Sequence, residues 1–486
     1  MGPNRIIGPS QAIPPMQTAM STIDSTAGPG TVDAGSPAAA PAGAPMPRAW
    51  HPLVRIGFRF CFVYFALATY AAVLSILPLG EYLAMPLLEA QQAVVVKVGA
   101  WVFGVSITVF PNGSGDTTYN WVEVFLNLSL AAVATLVWSA LDRRRRSYPW
   151  LLELLRIALR FVVAAAMFGY GINKLFKLQF PAPSMARLTQ AYGDSSPMGL
   201  LWTFMGASDP YTRFAGAMEL LGGLLLCFRH TAMLGALVTA GVMTNVVMMN
   251  LCYDVPVKLY SSHLLLMCCF LLLPDLRRLL DVFVLNRPAP AADLQSPYRA
   301  PWFRWTLFGV KCAVVLWLLV PTTINMWQMS HVYGDAAPRG PMDGAWKVAR
   351  MTVDGAERPP LVTDELRWRD FTLVDTESMR MAVASPMTGA NRYLGVEIQA
   401  DADAPGSGTL RLLKRTGGGA TAGAAAPTEA DLLGTLRYRR AADGALTLEG
   451  TFDGHAITVE GTLRRPEDFL LMNRGFHWIN EYPFNR

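Results

Sequence analysis

Charge is what this chain has least of. Asp, Glu, Lys and Arg make up only 16% of its 486 residues, while hydrophobic residues make up 52%. The net charge of +5 is small and dispersed, which argues against a nucleic-acid partner. Cysteine is scarce too. Cys61, Cys227, Cys252, Cys268, Cys269 and Cys312 all lie in or beside apolar runs, and none follows Cys312. The last third of the chain therefore has no internal disulfide to staple it. No CxxC is present, against a thioredoxin-type dithiol centre, and the adjacent Cys268 and Cys269 read as small hydrophobes in a helix bundle. HExxH, GxSxG, a P-loop and a strand-linked GxGxxG are all missing. Six histidines give no metal-ligand spacing, and no metal site is assigned.

What is there is apolar sequence in runs of about 20 residues, the length that crosses a bilayer as a helix. About seven spans are expected, near 53–78, 120–141, 150–175, 213–228, 230–252, 258–276 and 305–327. The run 84–110, with Glu89 and Lys97, reads as an interfacial helix or a further span. Basic residues fall on one side if seven spans alternate: Arg55 and Arg59, Arg143 to Arg146, Arg229, then Arg277 and Arg278. That side is the cytosol by the positive-inside rule. The fold class expected is a multi-span helical membrane bundle followed by a small antiparallel all-β domain, a sandwich or a barrel.

The boundaries follow from composition. Residues 1–48 are rich in Ala, Gly, Pro, Ser and Thr and read as a disordered cytosolic tail. Residues 49–284 form the bundle, 285–302 a Pro/Ala-rich linker, 303–328 the final span, and 329–486 an extracytoplasmic β domain. In that domain Phe371-Thr-Leu-Val, Tyr393-Leu-Gly-Val-Glu-Ile, Thr409-Leu-Arg-Leu-Leu, Thr435-Leu-Arg-Tyr, Thr447-Leu-Glu-Gly-Thr-Phe and Ile457-Thr-Val-Glu-Gly-Thr-Leu alternate as strands do. About seven or eight strands are expected. Asp443-Gly and Asp453-Gly suit tight hairpin turns, and Gly417–Ala426 reads as a low-complexity loop.

Chemistry is sought where polar groups interrupt apolar runs, because a bilayer penalises them unless they face a bundle interior or a water-filled cavity. Arg160 lies ten residues beyond Trp150, and Glu219 ten residues before Arg229. At about 1.5 Å per residue both sit roughly 15 Å deep, which predicts an Arg160–Glu219 ion pair. Tyr170, Asn173, Lys174 and Lys177 end the third span. Asn250, Asp254 and Lys258 flank a turn made tight by Pro256, with Asn245 and His263 at similar depth. The loop 176–212, with its turn-rich Gln179-Phe-Pro-Ala-Pro and Tyr192-Gly-Asp-Ser-Ser-Pro pieces, is long enough to roof these groups, and Met198–Met205 reads as a short helix in it. The pocket candidates are thus Arg160, Tyr170, Asn173, Lys174, Glu219, Asn245, Asn250, Asp254, Lys258 and His263. The bland alternatives are snorkelling lysines, a register-locking ion pair and a satisfied core histidine. Gly222–Gly223 reads as a close helix contact, and Asn112-Gly-Ser-Gly-Asp-Thr as a turn. The aromatic tail Arg474–Arg486, with His477, Trp478, Asn480 and Glu481 as candidates, is expected to dock against the β domain or the bundle mouth.

Phe168-Gly-Tyr-Gly-Ile-Asn-Lys-Leu-Phe, Glu219-Leu-Leu-Gly-Gly and Tyr253-Asp-Val-Pro-Val-Lys-Leu resemble the DoxX-like bacterial membrane proteins over about 150–280, and the tail resembles the ending of longer members. The resemblance implies a four-helix core at spans three to six, a bacterial inner-membrane location and an association with quinone chemistry. The favoured expectation is a quinone or lipid in an intramembrane pocket, with a quinone as the candidate cofactor and a redox or envelope protein as partner beside the lipid bilayer. The alternatives are a non-enzymatic scaffold acting through the β domain, and a transporter.

Overall fold

The computed structural model describes residues 49–109, 113–291, 300–389, 391–414 and 431–485. The expected 1–48 tail, residues 292–299 of the 285–302 linker and the Gly417–Ala426 loop lie outside the described residues.

The described residues between 49 and 332 are mainly helical. The long helices are α1 (Pro52–Ile76), α2 (Gly80–Phe103), α3 (Thr118–Leu141), α4 (Pro149–Leu175), α7 (Asp209–Cys227), α8 (Ala232–Cys252), α9 (Lys258–Leu272) and α11 (Pro301–Val332). The short α5 (Met185–Thr189) and α6 (Pro197–Gly206) lie between α4 and α7, and α10 (Leu276–Phe283) continues α9. Proline opens α1, α4, α6 and α11, where its missing N–H has no partner to lose. Thr117 and Asn120 form a reciprocal capping box at the start of α3.

Among the described residues five helices are long and apolar enough to cross a membrane: α1, α3, α8, α9 with α10, and α11. They make the helical part compatible with a multi-pass membrane protein. The charged α4 and α7 fall short of that apolarity because of the groups they bury, Arg160, Lys174 and Glu219 among them. The uncertain 84–110 run is helical as α2 up to Phe103, with Pro86 inside it. Outward faces are apolar: Leu136, Trp305 and Trp317 are all exposed, as a hydrocarbon surround requires.

α4, α7, α8 and α9 close into a four-helix ring. Its tightest seam joins α4 and α7. Gly171 and Gly216 face each other so closely that a Cβ added at Gly216 would lie 2.6 Å from the Gly171 carbonyl oxygen. Small residues let helix backbones approach in this way. The expected contact at Gly222–Gly223 holds as well: Gly222 meets Thr239 of α8, and Gly223 meets Phe168 of α4.

After α11 the chain forms a closed antiparallel barrel. Its wall strands are β1 (Gly344–Val353), β3 (Trp368–Asp375), β4 (Arg380–Pro386), β5 (Arg392–Ala400), β6 (Ser407–Lys414), β7 (Leu432–Arg440), β8 (Leu446–Phe452) and β9 (His455–Arg464); the two-residue β2 (Ala356–Glu357) only extends β1. Each wall strand pairs with the next, and β9 pairs back on β1, with Ala345 opposite Arg464. Closure removes the exposed edges of an open sheet. Alternate residues point inward, so Trp346, Phe371, Leu394, Leu410, Leu436 and Leu448 share one buried core. Asp453-Gly454 makes the β8–β9 hairpin with both residues at positive φ, as its sequence predicted. Asp354-Gly355 does the same between β1 and β2, a turn the sequence reading passed over.

The glycine seam yields a test. Gly216→Ala forces α4 and α7 apart and is expected to destabilise the helical part by about 1–3 kcal/mol, read as a lower unfolding temperature in detergent. An unchanged temperature would contradict the close approach.

Candidate functional site

The α4–α7 seam sets the register of every polar group on it. With Gly171 opposite Gly216, Lys174 meets Glu219: Nζ donates to Oε1 at 2.8 Å and to Oε2 at 2.7 Å. Both side chains are buried, at 7% and 3% exposure. The expected Arg160–Glu219 pair is therefore incorrect. Arg160 lies at the other end of the seam, where Nε donates to the Leu226 carbonyl at 2.7 Å and Nη2 to the Cys227 carbonyl at 3.0 Å. It satisfies the last carbonyls of α7 and complements the negative end of that helix. The depth argument failed because it took Trp150 and Arg229 as level, whereas the glycine contact sets Arg160 against Leu226 instead.

Beside the ion pair lies a cavity of about 420 Å³, between α4, α7, α8 and α9 and beneath the 176–212 segment. Of the sequence candidates, Tyr170, Lys174, Glu219, Asn245 and Asn250 line it. Asn250 donates to Ser261 Oγ at 3.0 Å, and the Tyr170 and Tyr260 rings lie 6.2 Å apart. Lys174 Nζ sits 5.5 Å from the centre of the Tyr170 ring and 5.9 Å from that of Phe180, cation–π contacts that help hold the ammonium.

Arg160, Asn173, Asp254, Lys258 and His263 are not among the lining residues. His263 faces α1, its Nε2 lying 2.5 Å from Tyr64 Oη and its Nδ1 2.7 Å from the Leu259 carbonyl, which makes it a satisfied core histidine. Asp254 and Lys258 pair with each other at 2.7 Å on the α8–α9 turn. That turn is also held by Asp116, whose carboxylate accepts from the Lys258 and Leu259 backbone N–H groups at 2.8 and 2.9 Å. The Asp of the turn-like 112–117 piece thus caps the start of α9. The Asn173 side-chain oxygen is buried with no hydrogen-bond partner among the described residues.

Sequence reasoning missed most of the cavity wall. Met167, Met198, Met205, Met218, Met243 and Met249 line it, together with Phe180, Trp202 and Tyr260. Methionine is the adaptable filler of apolar sites, and the 23 methionines of the chain were a usable signal. Gln179 also lines the cavity, and its Oε1 is shielded from solvent without a protein partner among the described residues.

The roof is pinned. Helix α6 covers the cavity with Leu201, Trp202 and Met205. Lys177 is no snorkelling residue: it is buried, pairs with Asp209, and reaches Asp335 at 3.3 Å and the Gly206 carbonyl at 3.3 Å. Asp335, just past α11, also accepts from the Ala182 backbone N–H at 3.0 Å. On the barrel, Arg369 Nη2 donates to the Thr189 carbonyl at 2.9 Å, against α5. The roof is therefore held from the bundle, from the segment after α11 and from the barrel wall.

The expected docking of the C-terminal tail is not found. Trp478 is 90% exposed, and His477, Asn480 and Glu481 are exposed with it. Aromatic composition argued for burial within the chain, yet the tail organises around Arg474 instead.

Fold and site together define a class: a helical bundle compatible with membrane insertion, enclosing a roofed amphipathic cavity and carrying a closed β-barrel. The chain is 33% identical over 126 residues to the uncharacterized protein YwoB of Bacillus subtilis (strain 168), a match covering 26% of this chain and 79% of YwoB. The chain belongs to the same family as YwoB. No family model matches it, and no solved structure matches it.

Two measurements probe the site. In double-mutant cycles read by unfolding in detergent, Lys174 and Glu219 are expected to couple by about 2 kcal/mol or more, and Arg160 and Glu219 by less than about 0.5 kcal/mol. A reversed order would restore the pairing first expected. Asp335→Asn removes one pin from the roof, so amide exchange across 179–206 is expected to quicken while α8 stays protected. Equal exchange in both proteins would show that the pin does not hold the roof.

Proposed function

We propose that the helical part binds a small hydrophobic molecule with a polar head, a quinone or a lipid, in the roofed cavity. The observation that carries this reading is the composition of the cavity wall. Six methionines and several aromatic rings supply an apolar, adaptable surface, and the polar groups gather in a few places: Tyr170, Tyr260, Asn245, Gln179 and the Lys174–Glu219 pair. Ligand sites are typically apolar clefts of this order of size with a few convergent polar groups. The carbonyl of a quinone, or the ester of a lipid, would accept hydrogen bonds from the tyrosine hydroxyls and the asparagine amide. Gln179 Oε1, shielded and without a donor among the described residues, would accept from a hydroxyl on the same head. The ion pair needs no ligand to neutralise it, so an uncharged head fits better than an ionic one.

The DoxX-like resemblance supports the same reading, since quinone chemistry is associated with that family. In this reading the protein lies in a bacterial inner membrane with the N-terminus in the cytosol and the barrel outside. It serves as the ligand-holding subunit of a redox complex.

The reading is tested by purifying the protein in mild detergent and identifying the co-purifying small molecules by mass spectrometry. One quinone or one lipid class is expected in near-stoichiometric amount, and Ala215→Trp, which places a large ring in the cavity, is expected to remove it. Lipids in bulk membrane proportions, unchanged in that variant, would refute the proposal.

A further inference from the structure

We infer that the C-terminal segment Leu470–Phe484 is an interfacial anchor that seats its aromatic side chains in the headgroup layer of the bilayer beside α11. The inference rests on the membrane reading of the helices and is independent of what the cavity binds.

The first support is strand register. β9 ends at Arg464, opposite Ala345 at the start of β1. The β3–β4, β5–β6 and β7–β8 turns share that rim. This rim is knit to the segment that leaves α11: Ser378 Oγ donates to the Val332 carbonyl at 2.6 Å, the Gly340 N–H donates to the Asp375 carbonyl at 2.7 Å, and Arg440 donates to the Pro341 carbonyl. The tail therefore leaves the barrel at the rim tied to an apolar helix long enough to cross a membrane, not at the rim carrying the Asp354-Gly355 and Asp453-Gly454 turns.

The second support is how the tail is built. The segment is organised by Arg474, whose Nη2 donates to Asn480 Oδ1 at 2.8 Å and whose guanidinium stacks 4.7 Å from the centre of the Phe484 ring. Phe476 and Trp478 meet edge to face at 4.9 Å. The apolar groups so arranged point away from the protein: Phe476, Trp478, Ile479 and Tyr482 are each more than three-quarters exposed. Leu470 and Leu471 on the preceding turn are exposed too.

Chemistry then selects the occupant. Tryptophan and tyrosine concentrate at membrane–water interfaces, where one end of the ring is apolar and the other wet. Between Arg464 and Asn485 three arginines balance three acidic residues, so charge gives no reason to choose a strongly charged protein partner. Trp327 and Tyr333 at the barrel end of α11 are exposed as well.

The test uses the full chain in lipid nanodiscs, with a photo-reactive benzophenone side chain at position 478 and, as control, at the exposed Leu361 between β2 and β3. After irradiation, mass spectrometry is expected to find lipid adducts at 478 and few at 361. Adducts to a second copy or to another part of the chain, or no lipid adduct at 478, would overturn the inference. Hydrogen exchange on the unaltered protein keeps it testable if the labelled protein misfolds: residues 475–485 are expected to be protected in nanodiscs, and exchange as fast as in an unstructured peptide would overturn it. Neither readout depends on cavity occupancy, so failure here leaves the cavity proposal to its own experiment.

Discussion

Lys174 and Glu219 neutralise each other where neither is tolerable alone. An isolated ammonium or carboxylate in an apolar bundle costs several kcal/mol, so each makes the other's position possible. Their meeting depends on backbone. Gly171 and Gly216 bring α4 and α7 close enough for a direct two-oxygen contact, and the same register delivers Arg160 to the closing carbonyls of α7. One tight seam thus positions three of the charges buried in the helical part.

The cavity is a consequence of that seam and of a pinned roof. The four-helix ring leaves space beside the ion pair, and the 176–212 segment closes it with Phe180, Trp202 and Met205. A segment that long is costly to order by itself. Here the ordering is shared among Lys177 of the segment itself, paired with Asp209 at the start of α7, Asp335 at the exit of α11 and Arg369 of the barrel. The barrel is therefore more than a terminal appendage, because one of its wall strands bears on the cover of the cavity.

Much of the architecture was legible in the residues. Apolar runs of helix length, strand alternation after Trp327 and Asp-Gly turns express local periodicities that each segment carries by itself. The site was legible in part. Polar groups in apolar runs marked Tyr170, Lys174, Glu219, Asn245 and Asn250, which line the cavity. The same rule admitted His263, which pairs with Tyr64 on α1, since composition shows that a group is buried without showing which neighbour satisfies it. The tail erred in the opposite sense: its aromatics argued for burial, and Trp478 is exposed.

The sequence by itself determined the class of each element and the presence of charges that had to be compensated, because both follow from short-range patterns and from the solvation of single groups. Only the tertiary structure decided which charge compensates which. Pairing across helices is set by where their backbones touch, and that contact rests on two glycines forty-five residues apart whose mutual approach no local pattern encodes.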